Sequence, residues 1–381
     1  MQRVLINGRI FDGQQILDGH AAVLDGAAVA AVLPAGEAPA GAARIDLEGG
    51  LLAPGFIDVQ VNGGGGVLFN DQPSVEGIRT ISRAHRPYGT TGLLPTLVSD
   101  DWAVMESAAR AVEAALEQGL PGLLGIHFEG PYLNTARKGI HDDAVIRAVD
   151  PGALALFTSK TLGQVVVTLA PEMVAPDFIR ALDGAGVRVC AGHTAASYAQ
   201  VQRGLEAGIR GFTHLFNAMS PLTSREPGAV GAALEDPHSW CGMIVDGHHV
   251  HDASLKVAIA AKARGKSMLV TDAMPTVGAD DKRFQIGGQT IVAQDGRCAN
   301  AEGRLAGSDL DMASAVRNTV RRLGLPLEEA LRMASRYPAA FLGLECRLGR
   351  IAPGFDADLV LLDDDLEVRE TWIGGQPGSD A

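Results

Sequence analysis

The chain has 381 residues, of which 46% are hydrophobic and 20% are charged, and its formal net charge is −13. This balance is typical of a globular protein, and no apolar run approaches the roughly 18 residues of a membrane-spanning helix. The negative charge makes nucleic acids and anionic membranes poor partners. Because the first residues also lack an export signal, we expect a cytoplasmic protein with one large and one small domain.

Both chain ends carry the pattern of small antiparallel strands. Residues 1–52 alternate short Val, Leu and Ile runs with turn signals such as Asn7-Gly8 and Asp25-Gly26. Residues 345–381 repeat this pattern, and the phrase Ala-Pro-Gly-Phe occurs at 53–56 and again at 352–355. Two separate terminal hairpins would be marginally stable. We therefore predict one β-sandwich domain built from 1–52 and 345–381.

The middle of the chain, residues 53–344, alternates apolar runs of strand length with helix-length stretches rich in Ala, Glu, Leu and Arg. The runs are Gly55–Gln60, Gly92–Leu97, Gly122–Phe128, Gln164–Ala170, Val187–Cys190, Ile209–Thr213, Cys241–Val245 and Ser267–Thr271. Eight such alternations predict an α/β fold, a (β/α)8 TIM-like barrel, whose active-site groups follow the carboxyl ends of the strands. The glycine-rich segment at about 275–307 predicts a β-hairpin insertion.

His193 and His214 each follow an apolar run and are separated by one β-α-β unit. Parallel strands joined by a right-handed crossover would place the two imidazoles side by side, where both could bind one ion. A structural histidine at a strand end is the competing interpretation. Other strand ends carry Gln60, Asn62, Glu129 and Asp272, and donors of these types suit a divalent metal. The four cysteines are widely spaced and form no thiolate zinc motif.

A series of motifs in this order resembles the amidohydrolase superfamily, and within it the N-acetylglucosamine-6-phosphate deacetylases. The motifs are Pro-Gly-Phe-Ile-Asp-Val-Gln-Val-Asn-Gly (54–63), Gly-Ile-His-Phe-Glu-Gly-Pro-Tyr-Leu-Asn (125–134), Lys-Gly-Ile-His (138–141), Leu-Ala-Pro-Glu-Met (169–173), Ala-Gly-His-Thr (191–194), Thr-His-Leu-Phe-Asn-Ala-Met (213–219), Arg-Glu-Pro-Gly (225–228), Asp-Gly-His-His-Val (246–250) and Thr-Asp-Ala (271–273). The resemblance covers nearly the whole chain.

The resemblance implies a metal-dependent hydrolase with one divalent ion per subunit. Glu129, His193 and His214 would bind the ion, leaving a position open for water. Zn²⁺ is our first expectation, and Fe²⁺ or Mn²⁺ suit the same ligands. Asp272 would be the catalytic residue, removing a proton from water and delivering it to the leaving amine.

The first strand departs from the wider superfamily. Many members place a His-x-His pair there to hold one ion of a two-metal site, whereas this chain has Gln60 and Asn62. Amides are weaker ligands than imidazole. We therefore expect a single tight metal, with Gln60 and Asn62 contacting its water or marking a vestigial second position.

For the substrate, the resemblance implies a phosphorylated amino sugar. Arg225 and His249 would supply positive charge, since guanidinium binds phosphate bidentately. Both residues could come from the neighbouring subunit of a homodimer. The implied substrate-binding residues are His141, Asn217, Ala218, Arg225, His249, Leu305, Ala306 and Gly307.

The expected reaction is hydrolysis of the acetamide of N-acetyl-D-glucosamine 6-phosphate to D-glucosamine 6-phosphate and acetate, a step of amino-sugar catabolism. Two alternatives stay open. One is a related amidohydrolase that acts on another N-acyl sugar, a cyclic amide or a nucleobase. The other is a barrel that has lost its chemistry and serves as a binding scaffold.

Overall fold

The computed structural model describes residues 2–378, and contacts within it define two compact units. One comprises the chain up to Asp58, His85–Gly92 and the chain from Asp311 onward, and the other comprises Val59–Ala84 and Leu93–Leu310. The domain boundaries drawn from the sequence differ from these two units mainly at 311–344. The helices of that segment belong to the first unit, together with the chain ends. A helical pattern shows which face is apolar but not which unit that face contacts.

The predicted alternation produces an eight-stranded sheet within residues 2–378. In chain order its strands are Phe56–Val61, Thr90–Val98, Gly125–Glu129, Gln164–Leu169, Arg188–Ala191, Ile209–Phe212, Trp240–Met243 and Ser267–Leu269. From the second strand onward, neighbours pair in parallel. A parallel bridge between Val61 and Ala273 joins the two ends of the sheet. The prediction of a TIM-like barrel is therefore confirmed.

Helices alternate with these strands and cover the sheet, so the strands can be apolar along their whole length. All nine residues of Thr90–Val98 are buried. No helix in the described part of the chain is both long and apolar enough to cross a membrane. The helices are Val75–His85, Trp102–Glu117, Ala153–Phe157, Pro176–Gly184, Tyr198–Ala207, Gly228–Glu235, Asp252–Ala261, Met312–Arg321, Leu327–Ala334 and Arg336–Leu342, with short 3₁₀ turns at Ala35–Glu37, Arg86–Tyr88, Thr135–Arg137 and Lys160–Leu162.

The strands that precede His193 and His214 are neighbours. Arg188–Ala191 pairs in parallel with Ile209–Phe212, and helix Tyr198–Ala207 connects them. That helix begins with a capping box, in which the Ser197 hydroxyl accepts the Gln200 N–H and the Gln200 side chain accepts the Ser197 N–H. The two histidines consequently leave the sheet at the same edge, as their spacing predicts.

The insertion is larger than the predicted single hairpin. Its strands are Arg283–Ile286, Gln289–Gln294, Arg297–Ala299 and Leu305–Ser308, which pair antiparallel in sequence order. Asp295 and Gly296 form the second turn with φ of +52° and +78°, the conformation that two-residue hairpin turns require. The Asp-Gly signal in the sequence therefore marks a second hairpin.

The described residues of the first unit form two sheets. One has the order Ala28–Pro34, His20–Asp25, Gln2–Ile6, Ala43–Asp46, and the other has the order Gln376–Pro377, Val368–Ile373, Leu359–Leu362, Leu51–Pro54, Arg9–Phe11, Ile16–Leu17. Residues of both sheets, including Leu24 and Leu359, share one buried apolar core. Leu359–Leu362 pairs antiparallel with Leu51–Pro54, so segments from both chain ends meet in one sheet. The remaining short strands, Gly63–Gly64 and Val67–Leu68, pair with each other in the second unit.

Candidate active site

Three of the predicted site residues have a left-handed backbone two or three residues beyond the end of a barrel strand. The φ angles are +48° at His193, +33° at His214 and +54° at Asp272. This region costs a non-glycine residue about 1–3 kcal/mol, and such strain is concentrated at functional sites. Here it accompanies side chains that all line one cavity. The left-handed backbone therefore accompanies these three side chains where they enter the cavity.

Glu129, His193 and His214 converge within the barrel mouth. Oε1 of Glu129 lies 3.0 Å from Nε2 of His214 and 3.3 Å from Nε2 of His193, and the two Nε2 atoms are 3.1 Å apart. All three residues are buried, with ligand atoms within 4.8 Å of one another. Three such donors with a further position open to a cavity are typical of a catalytic metal site.

The contacts of Glu129, His193 and His214 leave these side chains in the forms that bind a cation. Nδ1 of His193 lies 3.0 Å from the Arg137 carbonyl, which can only accept, so Nδ1 carries the proton and Nε2 keeps its lone pair for a metal. Burial raises the pKa of Glu129, but the adjacent imidazoles of His193 and His214 outweigh it and hold the pKa well below the usual range. The carboxyl group is therefore ionised, and these residues fit one divalent ion.

Asp272 lies beside the triad and is held by amide donors. Nδ2 of Asn62 donates to Oδ1 of Asp272 at 2.7 Å, while Nε2 of Gln60 lies 3.1 Å from both Oδ1 of Asp272 and Oε1 of Glu129. Burial, and then the charge of Glu129, raise the pKa of Asp272. A carboxyl group in this environment can both accept and release a proton. The amides at 60 and 62 thus contact carboxylates.

The cavity has a volume of about 280 Å³. Most of the predicted site residues line it, namely Asn62, Glu129, His141, His193, His214, Asn217, Ala218, His249, Asp272, Leu305 and Gly307. Three do not. Gln60 is buried behind the wall, Arg225 is exposed elsewhere on the surface, and Ala306 packs its side chain into the core of the insertion. Ala306 could therefore contact a substrate through its backbone alone.

His141 presents a hydrogen-bond donor to the cavity. The backbone N–H of Ser99 donates to Nδ1 of His141 at 3.3 Å, and the Ser99 hydroxyl lies 2.7 Å from the same atom. Since the N–H can only donate, Nδ1 is the acceptor and the proton of the neutral ring is on Nε2. Burial, with the neighbouring His193, holds the pKa of His141 well below its usual value. The ring is therefore neutral and can donate to a carbonyl or hydroxyl oxygen.

His249 is oriented by a carboxylate. Oδ2 of Asp246 lies 2.6 Å from Nδ1 of His249, and Oδ1 accepts the backbone N–H groups of His248 and His249. Burial raises the pKa of Asp246, but the hydrogen bond from His249 is among the contacts that lower it overall. Asp246 therefore holds the Nδ1 edge of the His249 imidazole, and the Nε2 edge is left for a ligand.

Some residues around the cavity were not predicted. Val98, Gly139, Ile140, Met274 and Arg304 also line it. Arg304 directly precedes the predicted Leu305–Gly307 segment. A positive charge next to a predicted substrate-binding segment is the sequence signal that indicates this residue.

His127, two residues before Glu129, instead belongs to a buried network below the site. Its Nε2 lies 2.7 Å from the Thr168 hydroxyl, and its Nδ1 lies 3.1 Å from the Val59 carbonyl. Burial lowers its pKa to about 4, so the ring is neutral.

Comparison with known proteins places these features in context. Residues 51–378 match the family model described as amidohydrolase family, and residues 4–52 match the NagA composite domain. An N-acetylgalactosamine-6-phosphate deacetylase of Shewanella sp. (strain ANA-3) is 47% identical over 87% of this chain and 84% of its own. An N-acetylglucosamine-6-phosphate deacetylase of Haemophilus influenzae is 36% identical over 99% of both chains. The crystal structure of N-acetylglucosamine-6-phosphate deacetylase from Pasteurella multocida superposes with a TM-score of 0.96, at 36% identity and 99% coverage of both chains.

Proposed function

The chain belongs to the amidohydrolase family, and we propose that it hydrolyses the acetamide of N-acetyl-D-glucosamine 6-phosphate to D-glucosamine 6-phosphate and acetate. One observation carries this proposal. Gln60 bridges Oδ1 of Asp272 and Oε1 of Glu129 at 3.1 Å each, so the proton carrier stands beside the three metal-binding side chains. Relatives named as deacetylases of this sugar phosphate support the substrate.

The residues divide the chemistry between them. A divalent ion held by Glu129, His193 and His214 would polarise the amide carbonyl and lower the pKa of a water molecule. Asp272 would remove a proton from the attacking water, whose oxygen forms the new C–O bond, and would give the proton to the nitrogen as the C–N bond breaks. The Nε2–H of His141 donates to the carbonyl oxygen or to a sugar hydroxyl.

A second candidate substrate is N-acetyl-D-galactosamine 6-phosphate. The specific observation is the relative of that name, which is 47% identical to this chain over 87% of its length. The two sugars differ only in the configuration of one hydroxyl group, while their acetamide and phosphate are the same. The metal-binding residues and Asp272 would therefore serve either sugar.

A homodimer is part of the proposal. Arg225 is exposed and lies outside the cavity of its own chain, in a segment where the side chain of Leu222 is 54% exposed. An apolar side chain and a guanidinium on one exposed segment suit a contact with a second copy. Arg225 would then serve the site of the second copy across the interface, whereas His249 lines the cavity of its own chain.

A cytoplasmic location is also proposed. A sugar phosphate carries charge, and charged groups cross a lipid bilayer poorly. The enzyme would therefore work in the compartment that holds its substrate.

An acetate-release assay tests the function. We expect turnover of N-acetylglucosamine 6-phosphate, with a lower kcat/KM for the unphosphorylated sugar, and the galactosamine epimer is assayed in parallel. A preference for an unphosphorylated N-acyl sugar or a cyclic amide would favour a different amidohydrolase. Absence of turnover by metal-loaded protein on every substrate would favour a non-catalytic scaffold.

A further inference from the structure

The charges around the cavity do not by themselves explain how it would hold a phosphate. Glu129 and Asp272 contribute carboxyl groups to the wall. Arg304 is the one Lys or Arg among the described residues that line the cavity. The protein as a whole has a net charge of −13, so long-range attraction of a phosphate dianion is unfavourable. A permanent positive charge in the wall would be the strongest local attraction.

The histidines do not replace that charge. His141 is a neutral donor, as its contacts with Ser99 indicate. His249 shares Nδ1 with the ionised carboxylate of Asp246 at 2.6 Å, so this pair has no net positive charge even when the ring is protonated. Arg225, predicted from the sequence, is exposed and does not line the cavity of its own chain.

The backbone of Arg304 is held while its guanidinium is available. Its N–H donates to Oδ1 of Asn300 at 2.8 Å, and its carbonyl accepts the Asn300 N–H at 3.0 Å. Within residues 2–378, no carboxylate forms an ion pair with the Arg304 side chain. The five donors of the guanidinium are therefore free to bind an anion.

The strand that follows Arg304 connects it to the reacting end of the cavity. The Ser308 N–H donates to the Asp272 carbonyl at 2.9 Å. Arg304 is four residues earlier, which corresponds to roughly 13 Å along an extended strand. Gly307, with φ of +57°, lies so close to Asp272 that a Cβ would come within 2.8 Å of the Asp272 carbonyl oxygen. This tight packing holds the strand against the catalytic residue.

We infer that Arg304 binds the 6-phosphate of the substrate and gives each chain its own cation for this group, beside any contribution of Arg225 from a second copy. This inference rests on the proposed function. The acetamide and the phosphate are at opposite ends of the sugar, and Asp272 and Arg304 likewise lie beside opposite ends of the strand Leu305–Ser308. A guanidinium pairs with phosphate through two parallel hydrogen bonds, which Lys cannot reproduce.

Substitution of Arg304 tests the inference. We expect Arg304→Ala to raise KM for N-acetylglucosamine 6-phosphate by about 10- to 100-fold, the effect of losing a charged hydrogen bond. The ratio of kcat/KM for the phosphorylated over the unphosphorylated sugar should fall by a similar factor. Inorganic phosphate should inhibit the variant correspondingly less, and Arg304→Lys should recover part of the loss.

Arg283→Ala is the matched control, since Arg283 is an exposed arginine of the same insertion outside the cavity. A KM for Arg304→Ala within twofold of the control would overturn the inference. An equal loss of kcat/KM on the phosphorylated and the unphosphorylated sugar would also overturn it. Arg304 would then affect the position of its loop and not the binding of the phosphate. Calorimetric titration with D-glucosamine 6-phosphate measures the phosphate contact without turnover, so failure of the proposed function and failure of this inference are distinguishable.

Discussion

The side chain of Asn62 donates to Oδ1 of Asp272 at 2.7 Å, across 210 residues of sequence. Asn62 stands where many superfamily members have a metal-binding histidine, and here it contacts the carboxyl group that we propose as the proton carrier. Gln60 likewise donates to Asp272 and Glu129. An amide NH₂ group can only donate, so these contacts hold the carboxyl groups of Asp272 and Glu129 in place.

Replacement of Asp272 separates proton transfer from metal binding. Asp272→Asn should lower kcat by about 10²- to 10⁴-fold, the usual contribution of a positioned acid or base. The metal content, measured by elemental analysis, should be unchanged because Glu129, His193 and His214 are intact. Asp280→Asn makes the same change at an exposed position and should leave kcat unaltered. Turnover of Asp272→Asn close to that of wild type would refute the proton-shuttle role.

The metal content follows from the triad. Protein purified without added metal should contain roughly one divalent ion per chain. Glu129→Gln removes the only carboxylate among the three metal-binding residues, so both metal content and acetate release should fall sharply. Glu235→Gln, at an exposed position, controls for the loss of a charge. Two tightly bound ions per wild-type chain would contradict the single-ion prediction.

The Asp246–His249 contact can be altered without removing the backbone contacts. In Asp246→Asn, Oδ1 still accepts the N–H groups of His248 and His249, while Nδ2 replaces the oxygen that contacts Nδ1 of His249. The imidazole must then turn or change tautomer, so kcat/KM for the phosphorylated sugar should fall by about 10-fold, equivalent to 1.4 kcal/mol. The thermal midpoint should change little. An unchanged kcat/KM would show that the orientation of His249 is unimportant.

A pH effect on stability is expected from Asp358 in the first unit. Burial raises the pKa of Asp358 to about 6 from its ordinary 3.8. The folded state therefore binds the proton more tightly than the unfolded state, and stability decreases as the pH rises from about 4 to above 6. Asp358→Asn keeps an oxygen for the Gly374 N–H, which Oδ1 accepts at 2.7 Å. At pH 7.5 this variant should be more stable by about 3 kcal/mol.

Urea unfolding at pH 4 and pH 7.5 measures this difference. The stabilisation should be smaller at pH 4, where wild-type Asp358 is largely protonated in the folded state. Asp364→Asn is the control, since the Asp364 side chain is 94% exposed. A destabilised Asp358→Asn at pH 7.5 would show that the charge of Asp358 contributes more through Arg86 and Arg347 than it costs through burial.

Local patterns in the sequence were sufficient for the architecture. The eight apolar runs predict strands that the structure places within a few residues, and the interval between His193 and His214 predicts neighbouring parallel strands. The insertion was underestimated, although Asp295-Gly296 carries the signal for its second turn. Strand periodicity and turn preference depend on residues near in sequence, so they can be recognised without the fold.

The sequence by itself therefore determined the barrel, the strand ends and the chemical types of the site residues. The tertiary structure alone decided which atoms meet. It directs Asn62 and Gln60 to carboxylates, excludes the Arg225 side chain from the cavity of its own chain and lines that cavity with Arg304. These contacts join residues far apart in the chain, and their geometry depends on packing and on strained backbone at His193, His214 and Asp272. Neither the long-range contacts nor the backbone strain can be recognised from a local pattern of residue types.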